Sequence, residues 1–111
     1  DKAFEALSNI RIFPTPSTDT NGYYKYPLEL KSPLKRIDVQ DRLLKEYGIK
    51  TGTSYWPPCH LQPAYRALGY TEGDYPVAEE VLHRVIALPM FCGLKDEQVG
   101  RVIEGVGSVC G

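Results

Sequence analysis

The chain has 111 residues, 42% of them hydrophobic and 24% charged, and carries a net charge of −1. That length suits one domain with a single modest core, and the near-neutral balance offers no general attraction for nucleic acid or an anionic membrane surface. No apolar run reaches about 18 residues and no basic start leads into an apolar stretch, so neither a membrane span nor a signal peptide is read, and a cytoplasmic setting is expected.

Residues 1–9, DKAFEALSN, read as the tail of a helix entering from upstream. Ile10 to Phe13 alternate weakly and stop at Pro14-Thr15-Pro16, after which STDTNG is a loop with an Asn21-Gly22 turn signal. From Tyr23 a strand is expected, with Tyr24, Tyr26, Leu28 and Leu30 on one face and Lys25, Glu29 and Lys31 opposite. Pro27 has no N–H to give a ladder, which places this strand at an edge or at a bulge.

The first full helix is expected to be capped by Asp38, with Val39, Leu43, Leu44 and Tyr47 as its apolar stripe. Gly48 stops it in a left-handed turn, and Ile49 packs back while starting the next strand. Leu61 to Leu68 suggests a short helix ending at Gly69. Asp74 opens another, in which Val77, Val81, Leu82 and Val85 face the core and which Pro89 terminates. A final helix is expected from Lys95 to Val106, with Val99, Val102, Ile103 and Val106 inward. Its start is weakly capped, because lysine carries no acceptor, although Asp96 and Glu97 suit the helix dipole. Gly105 and Gly107 are read as its end, which leaves residues 108–111 as a loose tail. The fold class expected is α+β, a small antiparallel sheet packed against about three helices.

Between Gly48 and Tyr70 the pattern is interrupted by GIKTGTSYWPPCHLQPAYRALGY, a rigid aromatic loop. Pro57 and Pro58 fix their own φ angles and bias the residue before each toward extended geometry, so Tyr55, Trp56, Cys59 and His60 are presented at a set angle. Imidazole donates and accepts within one small group, which makes His60 the first candidate for ligand contact; the plainer alternative is a loop histidine bonded to a backbone carbonyl. Tyr55 and Trp56 offer flat amphipathic surface for a sugar, a nucleotide or another protein surface, with packing the plainer role for Trp56. Gln62 and Tyr65 can orient the loop through their polar ends.

Other chemistry is thinly signalled. Cys59, Cys92 and Cys110 are three in number, without a CxxC pair or zinc-like histidine spacing, so reduced thiols and no metal site are expected. Cys110, next to the chain end, is read as able to cross-link two molecules in air. Adjacent Cys59 and His60 point apart in ordinary backbone and lack an orienting acid, which argues against a thiol hydrolase. His83 falls with Glu79, Glu80 and Arg84 on the charged face of its helix and is read as solvated. No lysine stands in a desolvated setting suited to Schiff-base chemistry, and no glycine and Ser/Thr phosphate cradle precedes a helix.

The run from Ile10 to Val106 resembles the C-terminal small domain of the DegT/StrS family of pyridoxal-phosphate-dependent sugar aminotransferases. The resemblance rests on Gly48-Ile49 after a helix, the Pro58-x-His60-x-Gln62-Pro63-x-Tyr65 run, Gly73-Asp74, Pro76 with Ala78-Glu79, and Leu88-Pro89. It implies residues 10–107 as a small aminotransferase-like domain, resembling the C-terminal domain of a fold-type I aminotransferase, with residues 1–9 as the end of an interdomain helix. It further implies substrate contact by His60, and with it Tyr55, at the mouth of a cleft. No catalytic or cofactor-binding residue is implied in this chain. Pyridoxal phosphate would sit in a large domain, covalent or separate, of an enzyme that works as a homodimer and moves an amino group, commonly from glutamate, to a keto sugar on a nucleotide. The competing expectation is a stand-alone, non-catalytic interaction module derived from that domain.

Overall fold

A computed structural model describes all residues, Asp1–Gly111. Four short strands, β1 (Ile10–Arg11), β2 (Tyr26–Leu30), β3 (Gly52–Thr53) and β4 (Val85–Leu88), form one antiparallel sheet in the order β1-β2-β4-β3. Five helices accompany them: α1 (Lys2–Glu5), α2 (Arg36–Tyr47), α3 (Pro63–Arg66), α4 (Pro76–Arg84) and α5 (Asp96–Cys110).

Alternation along the strands sorts side chains between the two faces of the sheet. Ile10, Leu28, Leu30, Ile86 and Leu88 share one face, in register as Ile10 with Leu30 and Leu28 with Ile86. Against them pack Phe4 of α1, Val39 and Leu43 of α2, and Val106, Val109 and Cys110 of α5, together with Ile49. The α+β class and the small sheet stand; α1, α2 and α5 cover the core face.

Several local expectations change. Pro27 lies on β2, which is flanked by two strands rather than lying at an edge. The missing donor is tolerated because β1 reaches only Glu29 and Leu30, leaving the Pro27 end of the strand open on that side. Glu29 is not on a solvated face; it is buried among arginines. Helix α2 starts at Arg36, so Asp38 lies in its first turn, where its charge suits the dipole, and makes no cap; Leu44 is exposed. Its end is as expected: Gly48 adopts φ 67° and the Ile49 N–H donates to the Leu43 carbonyl at 3.0 Å.

The helix expected to run from Asp74 to Pro89 is two elements. It stops at Arg84, and Val85–Leu88 becomes the strand between β2 and β3. Val85-Ile86-Ala87-Leu88 is a short apolar run rich in β-branched residues and closed by Pro89, which suits a strand flanked on both sides. Asp74 does not open α4; its carboxylate accepts the Thr71 N–H at 2.8 Å and closes the turn before it. Nor does Val77 face a core, being 74% exposed.

The tail at 108–111 is not loose as far as Cys110: α5 continues to that residue, and Val109 and Cys110 are buried. Packing against the sheet outweighs the low helix propensity of Gly105 and Gly107. At the other end of α5 the Gln98 side chain accepts the Lys95 N–H at 2.9 Å, the reciprocal half of a capping box, while the half that an N-cap acceptor would give is missing because lysine has none.

The thirty-odd residues between β3 and β4 leave the sheet as an arm built from the aromatic loop, α3 and α4. The radius of gyration is 15.4 Å, above the roughly 13 Å expected of a compact chain of this length.

Candidate functional site

The arm is held by polar contacts that its own sequence supplies. Past β3 the backbone turns sharply at Tyr55, whose φ of 57° is left-handed and costs a non-glycine residue roughly 1–2 kcal/mol. The Tyr55 side chain is 63% exposed, with the Lys25 ammonium 4.3 Å from the centre of its ring. The Trp56 ring has two neighbours: the Arg36 guanidinium lies 4.8 Å from the ring centre and the His83 ring 5.1 Å from it. Packing is thus the role Trp56 plays here, and His83, expected on a solvated face, is exposed yet rests against that indole with the rings tilted by 54°.

Beyond the prolines the chain makes one tight turn, Cys59–Leu61, with the Leu61 N–H donating to the Pro58 carbonyl at 2.9 Å. Gln62 orients the loop as expected, its side-chain amide donating to the Pro57 carbonyl at 2.8 Å. Arg66 Nε donates to the Leu61 carbonyl at 2.8 Å, which ties α3 to the same turn. Pro58 is buried beneath.

This turn directs His60 inward. The residue is 8% exposed, and its partner is not a backbone carbonyl but the Glu79 carboxylate, with Nε2 3.0 Å from Oε1. Glu79 also accepts the Gly73 N–H, at 2.8 Å through Oε1 and 3.1 Å through Oε2. The hydrogen bond from His60 first, and that from Gly73 second, hold the Glu79 carboxyl below its ordinary value. The Tyr75 ring meets the imidazole edge-on at 4.9 Å.

One carboxylate on α4 therefore joins the aromatic loop to the Gly73 turn. Sequence reading had set Glu79 beside His83 on a helix face and missed this pairing. The available signal was an acidic residue in the first turn of a helix directly after a glycine turn, which marks an anion able to collect backbone N–H groups. Cys59 is exposed where His60 is buried, so the two neighbours lie in different environments and make no nucleophile and base pair. Tyr55 and His60, the two expected contact residues, flank the proline pair but differ sharply in access.

The residues present do not fit pyridoxal phosphate. A Schiff-base lysine needs a desolvated amine, whereas six of the seven lysines are exposed and the half-buried Lys25 keeps its ammonium against the Tyr55 and Tyr24 rings.

Comparison with known proteins is decided by nearly the whole chain. Residues 1–107 match the model of the DegT/DnrJ/EryC1/StrS aminotransferase family. The chain belongs to that family. Among DegT/DnrJ/EryC1/StrS relatives it is similar to a pleiotropic regulatory protein of Geobacillus stearothermophilus, 37% identical over 92% of this chain and 27% of the relative. It also resembles a dTDP-3-amino-3,4,6-trideoxy-alpha-D-glucose transaminase of Micromonospora megalomicea, 33% identical over 83% of this chain and 24% of that protein. Its fold matches DesV of S. venezuelae, solved with a ketimine intermediate, at TM-score 0.84 and 28% identity over 96% of this chain and 28% of that one. The sugar aminotransferase Spr1654 of Streptococcus pneumoniae in its PLP form, described as putative, gives TM-score 0.85 and 26% identity over 98% and 28%. The chain thus spans about a quarter of the length of these DegT/DnrJ/EryC1/StrS proteins. Its fold is that of a C-terminal domain in these fold-type I aminotransferases.

Proposed function

We propose that this chain is the C-terminal, substrate-side domain of a pyridoxal-phosphate-dependent aminotransferase that transfers an amino group, from a donor such as glutamate, to a keto sugar carried on a nucleotide. A large domain, covalent or separate, would hold the cofactor, and this one would complete the cleft over the sugar. The observation that carries the reading is the fixing of His60: a polar ring in a family-matched loop, locked by Glu79 and Tyr75 rather than left to solvent. Tyr55, strained and exposed, would add a flat face beside it. The dTDP-sugar transaminases among the relatives support a nucleotide sugar.

Uncovered apolar surface favours this reading over a stand-alone module. Beside the first residues lies a groove of about 150 Å³ lined by Phe4, Tyr26, Leu88, Met90, Val99 and Ile103 among others. On the arm, Val77 and Leu68 are each 74% exposed. Surface of this kind suits burial against a large domain and a second subunit of a homodimer. A cytoplasmic enzyme without nucleic-acid or membrane partners completes the proposal, and no helix is long and apolar enough to cross a membrane.

Intact mass of the protein from its source cells, read beside the upstream reading frame, tests the proposal. A product several-fold heavier than this chain, with a lysine-bearing large domain, is expected. A product of this chain's own mass with no separately encoded large domain would replace the proposal with the interaction module.

A further inference from the structure

His60 has two ring nitrogens, and the structure commits one of them. Nε2 lies 3.0 Å from Glu79 Oε1. An ionised carboxylate only accepts hydrogen bonds, so Nε2 is the donor. The Gly73 N–H, donating to both oxygens of the same carboxylate, holds Glu79 in place and in its ionised form.

In a neutral imidazole a proton on Nε2 leaves Nδ1 as an acceptor. Nδ1 makes no hydrogen bond within the chain, and it is not among the buried unpaired polar atoms, which are Glu29 Oε2, Thr51 Oγ1 and Arg84 Nε. It therefore keeps contact with solvent although the residue as a whole is buried. Turning the ring over would remove Nε2 from Glu79 and leave an ionised acceptor unpaired, and the edge-on Tyr75 ring restricts tilting. What this residue offers a ligand is thus one acceptor atom at a fixed place.

We propose that Glu79 is the positioning residue of this site, fixing His60 as the Nε2–H tautomer so that Nδ1 accepts a hydrogen bond from a hydroxyl group of the sugar. The inference rests on the reading that His60 touches substrate. It adds the direction of the bond: the sugar donates, so a substrate without a free hydroxyl at that position loses the contact.

The experiment pairs two readouts. Long-range proton–nitrogen NMR on the histidine-labelled 111-residue chain reports the His60 tautomer without any substrate, and steady-state kinetics of the complete enzyme with its nucleotide-linked keto sugar report KM and kcat. Glu79→Ala is expected to lose the single tautomer and raise KM about tenfold with kcat little changed. Glu79→Gln, whose amide oxygen still accepts from Nε2, is expected to recover the tautomer and most of the affinity, a rescue that mere loss of folding does not give.

A single Nε2–H tautomer surviving in Glu79→Ala, or no recovery in Glu79→Gln, overturns the proposal. His60→Ala separates the two layers. Unchanged KM in His60→Ala removes the substrate reading and the Nδ1 contact with it, whereas raised KM there beside wild-type kinetics in Glu79→Ala overturns the positioning role alone.

Discussion

Gly105 of α5 lies so close to Ile49 that a carbon added at its Cα would fall 2.6 Å from Ile49 Cδ1 and 3.1 Å from Tyr47 Cγ. Helix α5 therefore crosses the end of α2 through a position where even a methyl group would crowd its neighbours. Gly105→Ala gains about 1 kcal/mol of helix propensity, but overpacking a close contact costs about 1–3 kcal/mol, and the ring of Tyr47 cannot move as freely as the Ile49 tip. A net loss of up to about 2 kcal/mol is expected, read as a lower urea midpoint, whereas Gly107→Ala, with nothing within 4 Å of the added carbon, is expected to be neutral or stabilising.

A second expectation concerns the buried carboxylate of β2. Glu29 Oε1 accepts from Arg84 at 2.9 Å, and Arg11 Nε lies 2.9 Å from Oε2 without a hydrogen-bonding angle. The Glu29 side chain is 8% exposed, while Arg84 and Arg11 are 34% and 58% exposed. Removing Arg84 leaves a buried charge with one poorly aimed partner, so Arg84→Met is expected to cost about 2–4 kcal/mol. Arg11→Met is expected to cost under about 1 kcal/mol. Chemical denaturation of both variants checks the order.

Acid should act through Glu79. Its carboxyl titrates below the ordinary value of 4.5 because His60, and after it Gly73, bond the ionised form. A lowered folded value means stability that is fully present above the unfolded value and lost as pH falls through the folded one. The difference in urea midpoint between wild type and Glu79→Gln is therefore expected to be largest above pH 4.5 and to shrink in more acid solution.

The thiols separate by access. Cys110 is fully buried against α2 and the sheet, and burial pushes its thiol up to about 11. Cys59 and Cys92 are exposed. Alkylation at neutral pH is expected to modify Cys59 and Cys92 quickly and Cys110 only in denaturant, as mass mapping of the labelled peptides will show. Air cross-linking through Cys110, expected from its place near the chain end, does not suit a residue locked in the core.

Much of the fold was legible where local signals and burial agree. The stop at Gly48, the apolar alternation of β2 and the loop-orienting role of Gln62 are all local. What escaped depends on tertiary packing. Val85–Leu88 continues the helical periodicity of α4 well enough to pass for its last turn, and only the flanking strands make it β. Gly105 and Gly107 look like terminators, yet α5 runs through them because its far end completes the core.

The candidate site was legible in the same uneven way. Rigidity of the proline loop and the prominence of His60 follow from residue types within a short window. Its partner Glu79 stands nineteen residues on in sequence, across α3 and a turn, and no periodicity links the two. Arg36 over Trp56 is likewise a contact between distant segments.

The most direct test of the central claim is hydrogen exchange across the complete enzyme with and without the nucleotide-linked keto sugar proposed as its substrate. Slower exchange on sugar binding within Tyr55–Leu61 is the predicted result, because the proposed function assigns this loop to the cleft wall. Exchange there that stays unchanged while the cofactor domain becomes protected would contradict the account and assign substrate contact to the rest of the enzyme.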